Sequence, residues 1–183
     1  MANRRERRAG RGRALGLVAS GLVALLASGC AIVEGPGLGL LPTRPQTVSD
    51  AIGRYDAARD ASLRLVIAGL DEDTAGRPSR ALASYQRAIG VDPTNPYAFL
   101  ALARHHLEGG SPDEASAFLD QARALFETQD GLGPEVDVWG VGLRAGIDRA
   151  LGRHDEADAL FESARSLSPS VWEDEWLSAS ELR

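Results

Sequence analysis

Three times in this chain a glycine is followed five residues later by an alanine, then four residues on by a large residue and three further by a second alanine. Gly76 leads to Ala81, Tyr85, Ala88 and Pro93; Gly110 leads to Ala115, Leu119 and Ala122; Gly152 leads to Ala157, Phe161, Ala164 and Pro169. The first two glycines stand 34 residues apart. The third follows after 42, the same period with eight residues added, and ETQDGLGPEVD (127–137) holds the turn residues to absorb them. A fixed period of this length leaves few architectures open. Each unit is one supersecondary element that buries its apolar face only by stacking on the next.

Inside each unit the spacing is that of a helix. The first alanine lets a neighbouring helix come close, the Tyr, Leu or Phe four residues on fills the space beside it, and the second alanine lies a turn beyond. Pro93 and Pro169 stop the helices they follow. In SPDEA, Ser111 reads as a cap, Pro112 suits the first helical position and Glu114 completes a capping box. RALASYQRAIGVDPTN (80–95) resembles the second half of a tetratricopeptide repeat, whose unit is a helix, a turn and a second helix, and the likeness extends over roughly 62–169. The resemblance implies an all-α chain, a short right-handed solenoid of about three helix-turn-helix hairpins (62–95, 96–128, 138–169) with a C-terminal capping helix over 171–182. It makes Ala81, Tyr85, Ala88, Ala115, Leu119, Ala122, Ala157, Phe161 and Ala164 the repeat-packing residues.

Some positions depart from that pattern. Ala68 and Gly69 are kept, but Glu72 and His106 stand where a large aromatic is usual. The third first-helix contains Gly140, Gly142 and Gly146, each of which weakens a helix by up to about 1 kcal/mol relative to Ala. Ahead of the repeats, Thr47 and Asp50 open a capping box. The stripe Ala51, Tyr55, Ala58, Ser62 and Val66 predicts one long helix to about Asp73, or two with a break near Ala61. At the far end Trp172 and Trp176 are one turn apart, as a helix closing the open end of a solenoid would place them.

The N-terminus follows a different logic. All twenty cationic residues are Arg, and six of them precede the apolar run Ala14 to Ala27, which is shorter than the roughly 20 residues a membrane span needs. The run ends in LLASGC, and Cys30 is the only cysteine. This resembles a bacterial lipobox, although Ala27 stands where Leu is commoner. The resemblance implies a signal peptide over 1–29, a lipidated Cys30 and a Gly- and Pro-bearing tether to residue 46, with the helical domain over 47–183. Ala31 after the cysteine points to an outer membrane, facing the periplasm, in a diderm host.

Removing 1–29 leaves 14 Arg against 25 Asp plus Glu, a net charge of −11. Nucleic acid, which demands a basic face, is therefore an unsuitable partner. His105, His106 and Glu108 lie close in sequence, but neighbours on a helix face different ways, so no metal site is expected from them. Nor does any phosphate loop, nucleophile elbow or carboxylate pair point to a cofactor, a small-molecule substrate or an enzyme. DED at 71–73 and WEDE near the end read as solvated helix ends. Two classes fit: a membrane-anchored adaptor that binds protein partners of the cell envelope, and a pilotin-like or structural lipoprotein serving a secretion, pilus or outer-membrane complex. The family resemblance assigns the partner-binding groove to Leu63, Val66 and Leu70 of the first repeat and Tyr97, Leu100 and Arg104 of the second. Apolar helix faces are more often core, however, and the helix beginning at Thr47 or the third repeat is the candidate to cover them.

Overall fold

A computed structural model of the protein describes residues 43–129 and 133–183. The arginine-rich start, the apolar run, Cys30 and nearly all of the tether lie outside the described residues. Among the described residues every regular element is helical: α1 (Val48–Ala51), α2 (Ala57–Thr74), α3 (Pro78–Val91), α4 (Pro96–Glu108), α5 (Pro112–Thr128), α6 (Pro134–Ala150), α7 (His154–Leu167), α8 (Pro169–Trp172) and α9 (Ala179–Leu182). α2 packs on α3, α4 on α5 and α6 on α7; these hairpins stack through α3 against α4 and α5 against α6. The first helices α2, α4 and α6 also touch in succession, which puts them on one side of a short all-α solenoid.

The recurring glycine has a backbone reason. Gly76, Gly110 and Gly152 have φ of 68°, 76° and 80°, the left-handed region that a Cβ disfavours. Each stands two residues past the end of a first helix, just beyond its C-cap, and closes it with the same pair of bonds. Gly76 N–H donates to the Asp73 carbonyl and Arg77 N–H to that of Glu72. Gly110 and Ser111 do likewise to Leu107 and His106, and Gly152 and Arg153 to Arg149 and Asp148. These are three Schellman endings, each satisfying carbonyls the helix leaves unpaired. The same geometry corrects the reading of Ser111 as a side-chain cap: no such bond forms, because the backbone of Ser111 is committed to ending α4. Pro112 does occupy the start of α5.

The nine repeat-packing residues are all at most 1% exposed. Gly69 on α2 faces the ring of Tyr85 on α3, and a Cβ there would collide with it. Between the first two hairpins a polar staple adds to the apolar contact. Asn95 caps α4 by accepting from the Tyr97 N–H (3.1 Å) and donates to Ser62 Oγ (2.9 Å), which in turn donates to the Ala88 carbonyl (2.8 Å). Arg59 pairs with Asp92 and donates to the Thr94 carbonyl and Gln129 Oε1.

Four expectations need correction. The chain from Thr47 is not one helix, nor does it break near Ala61. The Thr47–Asp50 capping box forms, but α1 ends after one turn, Gly53 turns the backbone at φ 81°, and Asp56 caps a new helix. That restart resets the helical phase, so Tyr55 and Ala58 are exposed and Arg59 is buried. The glycines of α6 do not interrupt it. Gly142 lets the Trp172 ring lie on the helix, and a Cβ on Gly146 would stand 2.9 Å from Leu107, so close approach offsets their low helix propensity. The eight added residues are taken up largely by longer helices, α5 and α6 having 17 residues each against 14 in α3 and 13 in α4. Finally, 171–182 is not one capping helix. Glu175 turns left-handed (φ 60°) between α8 and α9, leaving Trp172 1% and Trp176 45% exposed.

Candidate functional site

The six residues expected to line a groove are on α2 and α4 as anticipated, but the groove is closed. Leu63, Val66, Leu70, Tyr97, Leu100 and Arg104 are 0–2% exposed. Two segments of the chain itself supply the cover. On one side, Gln46 donates to Tyr97 Oη (2.5 Å), its carbonyl accepts from Trp139 Nε1 (2.9 Å), and α1 packs on α2 with Val48 and Ala51 fully buried. On the other, α9 packs on α2 and α4, burying Leu177, Ala179 and Leu182. The two covers meet where the Ser49 N–H (2.8 Å) and Oγ (2.5 Å) donate to the Arg183 carbonyl. The expected cover was a long helix from Thr47 or the third repeat. The apolar pattern of α2 and α4 cannot distinguish those from two one-turn helices at the ends of the described chain.

Beneath the second cover lies a buried polar cluster. Arg104 donates to Asp73 (2.6 Å) and pairs with Glu108 (2.8 Å); Asp73 also accepts from Tyr85 Oη (2.8 Å) and lies 3.0 Å from His105 Nδ1. The side chains of Arg104 and Asp73 are 2% and 4% exposed. Burial pushes the Asp73 carboxyl up, but hydrogen bonds from His105 and Tyr85 and the charge of Arg104 outweigh it and hold it below its ordinary value. Burial, reinforced by the Asp73 charge, pushes the Tyr85 hydroxyl up. Arg104 is thus a paired core cation, not a free groove cation. The reading of DED as a solvated helix end fails at its third member. Asp71 pairs with Arg183 and Glu72 with Arg77 at the surface, but Asp73, two residues past Asp71 and so about half a turn round the helix, points inward.

The histidines take structural places. The His105 ring meets Tyr85 edge-on at 5.8 Å, and His106 lies on Phe118 at 5.0 Å, filling the space the usual aromatic would. Burial and neighbouring His105 hold the His106 pKa below its ordinary value. Among the described residues no group of three or more His, Cys, Asp or Glu is placed to hold a metal ion.

Next to the Arg104 cluster is a cavity of about 240 Å³, lined mainly by Leu107, Leu143, Phe161, Trp172 and Leu177, with half-exposed Trp176 also on its wall. Arg104 and Trp172 both border it. Arg104 Nε and Trp172 Nε1 are buried with no hydrogen-bond partner among the described residues. Glu175 holds the segment's entrance, paired with Arg149 and with Arg165 (2.6 Å), and hydrogen bonds from those two arginines hold its carboxyl below its ordinary value. None of this closing segment was assigned to the site from sequence. One signal was available: Ser178 and Glu181 have the spacing of a capping box, and the structure forms it.

A tetratricopeptide repeat family model matches residues 74–130, from the end of α2 to just past α5. The match supports a tetratricopeptide repeat protein, and with it a role in protein–protein interaction. No curated protein and no solved structure matches the chain.

Proposed function

We propose that this chain is a protein-interaction adaptor of a bacterial cell envelope, held to a membrane by lipid on Cys30. The observation that carries the adaptor reading is the stack of helix hairpins, matched to a tetratricopeptide repeat over its central part and presenting ordered helix surface to a partner. The buried charges Asp73 and Arg104, and Arg59 and Asp92, are paired with each other and serve packing.

The anchor rests on LLASGC after a basic start and a short apolar run. Among the described residues no helix is long and apolar enough to cross a membrane. Two or more acyl chains on Cys30 would give stable attachment where one is marginal. The acidic mature chain, at −11, stands off an anionic bilayer, so the lipid holds the protein there and the solenoid faces its partner. In a diderm host we place it on the outer membrane, facing the periplasm.

Cys30→Ala should move the protein from the detergent phase of a Triton X-114 separation to the aqueous phase, or leave it uncleaved. Processed Cys30→Ala that stays with membranes after a high-salt wash would rule out the lipid anchor. Affinity capture from membrane extract with the full chain should recover a stoichiometric protein partner. Its consistent absence, at matched folding, would count against the adaptor.

A further inference from the structure

We infer that Glu173–Arg183 is a displaceable occupant of the face made by α2, α4 and α6, and that this face accepts a partner peptide of like chemistry. That peptide is one helical turn with apolar residues at the places of Leu177, Ala179 and Leu182, an aromatic being favoured at the first, and a cation at the place of Arg183. The inference rests on the adaptor reading and specifies its partner surface.

Three observations carry it. Beyond Glu175, which two arginines hold, the segment is tied among the described residues only by the Ser49 bonds to the Arg183 carbonyl, three apolar side chains and one exposed ion pair. α9 has four residues, too few to be helical without its contacts, and Arg183 meets Asp71 with the two side chains 47% and 51% exposed, where ion pairs contribute little. It is also set off from the solenoid by a turn, with Glu175 at φ 60° and Trp176 half exposed. Most telling, it fits imperfectly. The cavity of about 240 Å³ lies between Leu177 and the helices, and Arg104 Nε and Trp172 Nε1 at its border have no partner among the described residues. The cavity opens to solvent beside half-exposed Trp176, so the segment leaves it unfilled, and buried donors are rarely left unpaired. A segment with a larger side chain at the Leu177 position, and an acceptor beside it, would satisfy the face better than the chain's own residues do. Asp71 at its edge selects a cation at the last position.

The probe is a fluorescein-labelled peptide, EDEWLSASELR, copied from residues 173–183. It is titrated by anisotropy into the full chain in detergent, as wild type and as Leu182→Ser, while hydrogen exchange follows the amides of 177–182. Exchange there should speed up in Leu182→Ser with α2 to α7 still protected. Peptide affinity should rise by at least about tenfold over wild type, because a closed face lowers apparent affinity by the fraction of molecules that are open. A peptide with Phe in place of Leu177 should bind more tightly still. Arg183→Glu, which sets like charge against Asp71 at an exposed contact, should raise the open fraction and with it peptide affinity a few-fold without threatening the fold, and adding Asp71→Arg should reverse the gain; this pair carries the test if Leu182→Ser does not fold.

A released, folded variant that takes no peptide would overturn the inference, as would equal affinity for wild type and variant or unchanged exchange. A released variant that dimerises by exchanging segments and ignores the peptide would overturn it in favour of self-association. Because the probe comes from the protein itself, peptide binding without any captured envelope partner would fault the adaptor reading and leave this one standing.

Discussion

The clearest reversal at the level of single residues concerns Arg104. Its sequence position suggested a free cation facing a partner, but its side chain is 2% exposed and shared between Asp73 and Glu108. Removing one member of such a buried pair leaves the other charge uncompensated, so Asp73→Asn should lower unfolding stability by about 3 kcal/mol in urea titrations. Asp120→Asn, which breaks the surface pair with Arg144 where Asp120 is 65% exposed, should change it by no more than about 0.5 kcal/mol. Glycines divide in the same way. Gly142→Ala drives a Cβ into the Trp172 ring and should destabilise by about 1–3 kcal/mol, whereas Gly90→Ala, on α3 with no neighbour within 4 Å, should stabilise by about 0.5 kcal/mol. Equal midpoints for the two glycine variants would mean that Trp172 does not rest on α6.

At the scale of elements, the repeat residues were legible because what they encode is local. The Gly that ends each first helix and the Ala, large, Ala sequence of each second helix need only the hairpin to take effect. Ala81→Leu and Ala115→Leu should each overpack a helix contact and destabilise by about 1–3 kcal/mol, while Ala83→Leu, on the exposed side of α3, should leave the thermal midpoint almost unchanged. Three indistinguishable melting curves would put the repeat register in error. What misled the reading of α1, α2 and the expected capping helix was periodicity carried across a turn. Gly53 and Glu175 each take positive φ, after which the helical phase starts again and Tyr55 and Trp176 no longer follow their nominal partners inward.

For the whole molecule, stability should vary with pH on both sides of neutrality. Burial raises Asp73 and Asp92, but hydrogen bonds from His105 and Tyr85 to the first and from Arg59 and Thr94 to the second outweigh it; both are held below their ordinary value of 3.8. Each therefore contributes stability that is complete above the ordinary carboxylate range and is lost as pH falls through the folded value. His106, held below 6.5 mainly by burial, acts in the same direction, so its contribution fades as pH drops below 6.5. Tyr85 and Tyr97 are pushed above 10.0 by burial, so what they contribute persists below that value and is lost as pH rises beyond it. Urea midpoints measured from about pH 3 to about pH 11 should form a plateau that slopes down gently below about 6.5 and steeply below about 4, with an alkaline fall above about 10. Asp73→Asn should flatten the acid limb; an unchanged limb would place the responsible carboxylate elsewhere.

The sequence by itself determined the helical hairpins, their number and the residues that pack each pair, because Schellman endings and helix-face spacing depend on groups within about one repeat of each other. It also identified the residues of the face formed by α2 and α4. Only the tertiary structure decided whether that face was open. Gln46 reaching Tyr97, and Arg183 reaching Ser49 and Asp71, join residues 51, 134 and 112 positions apart. An apolar stripe demands that something cover it, and chain connectivity, reach and the competing fit of each candidate segment decide what does.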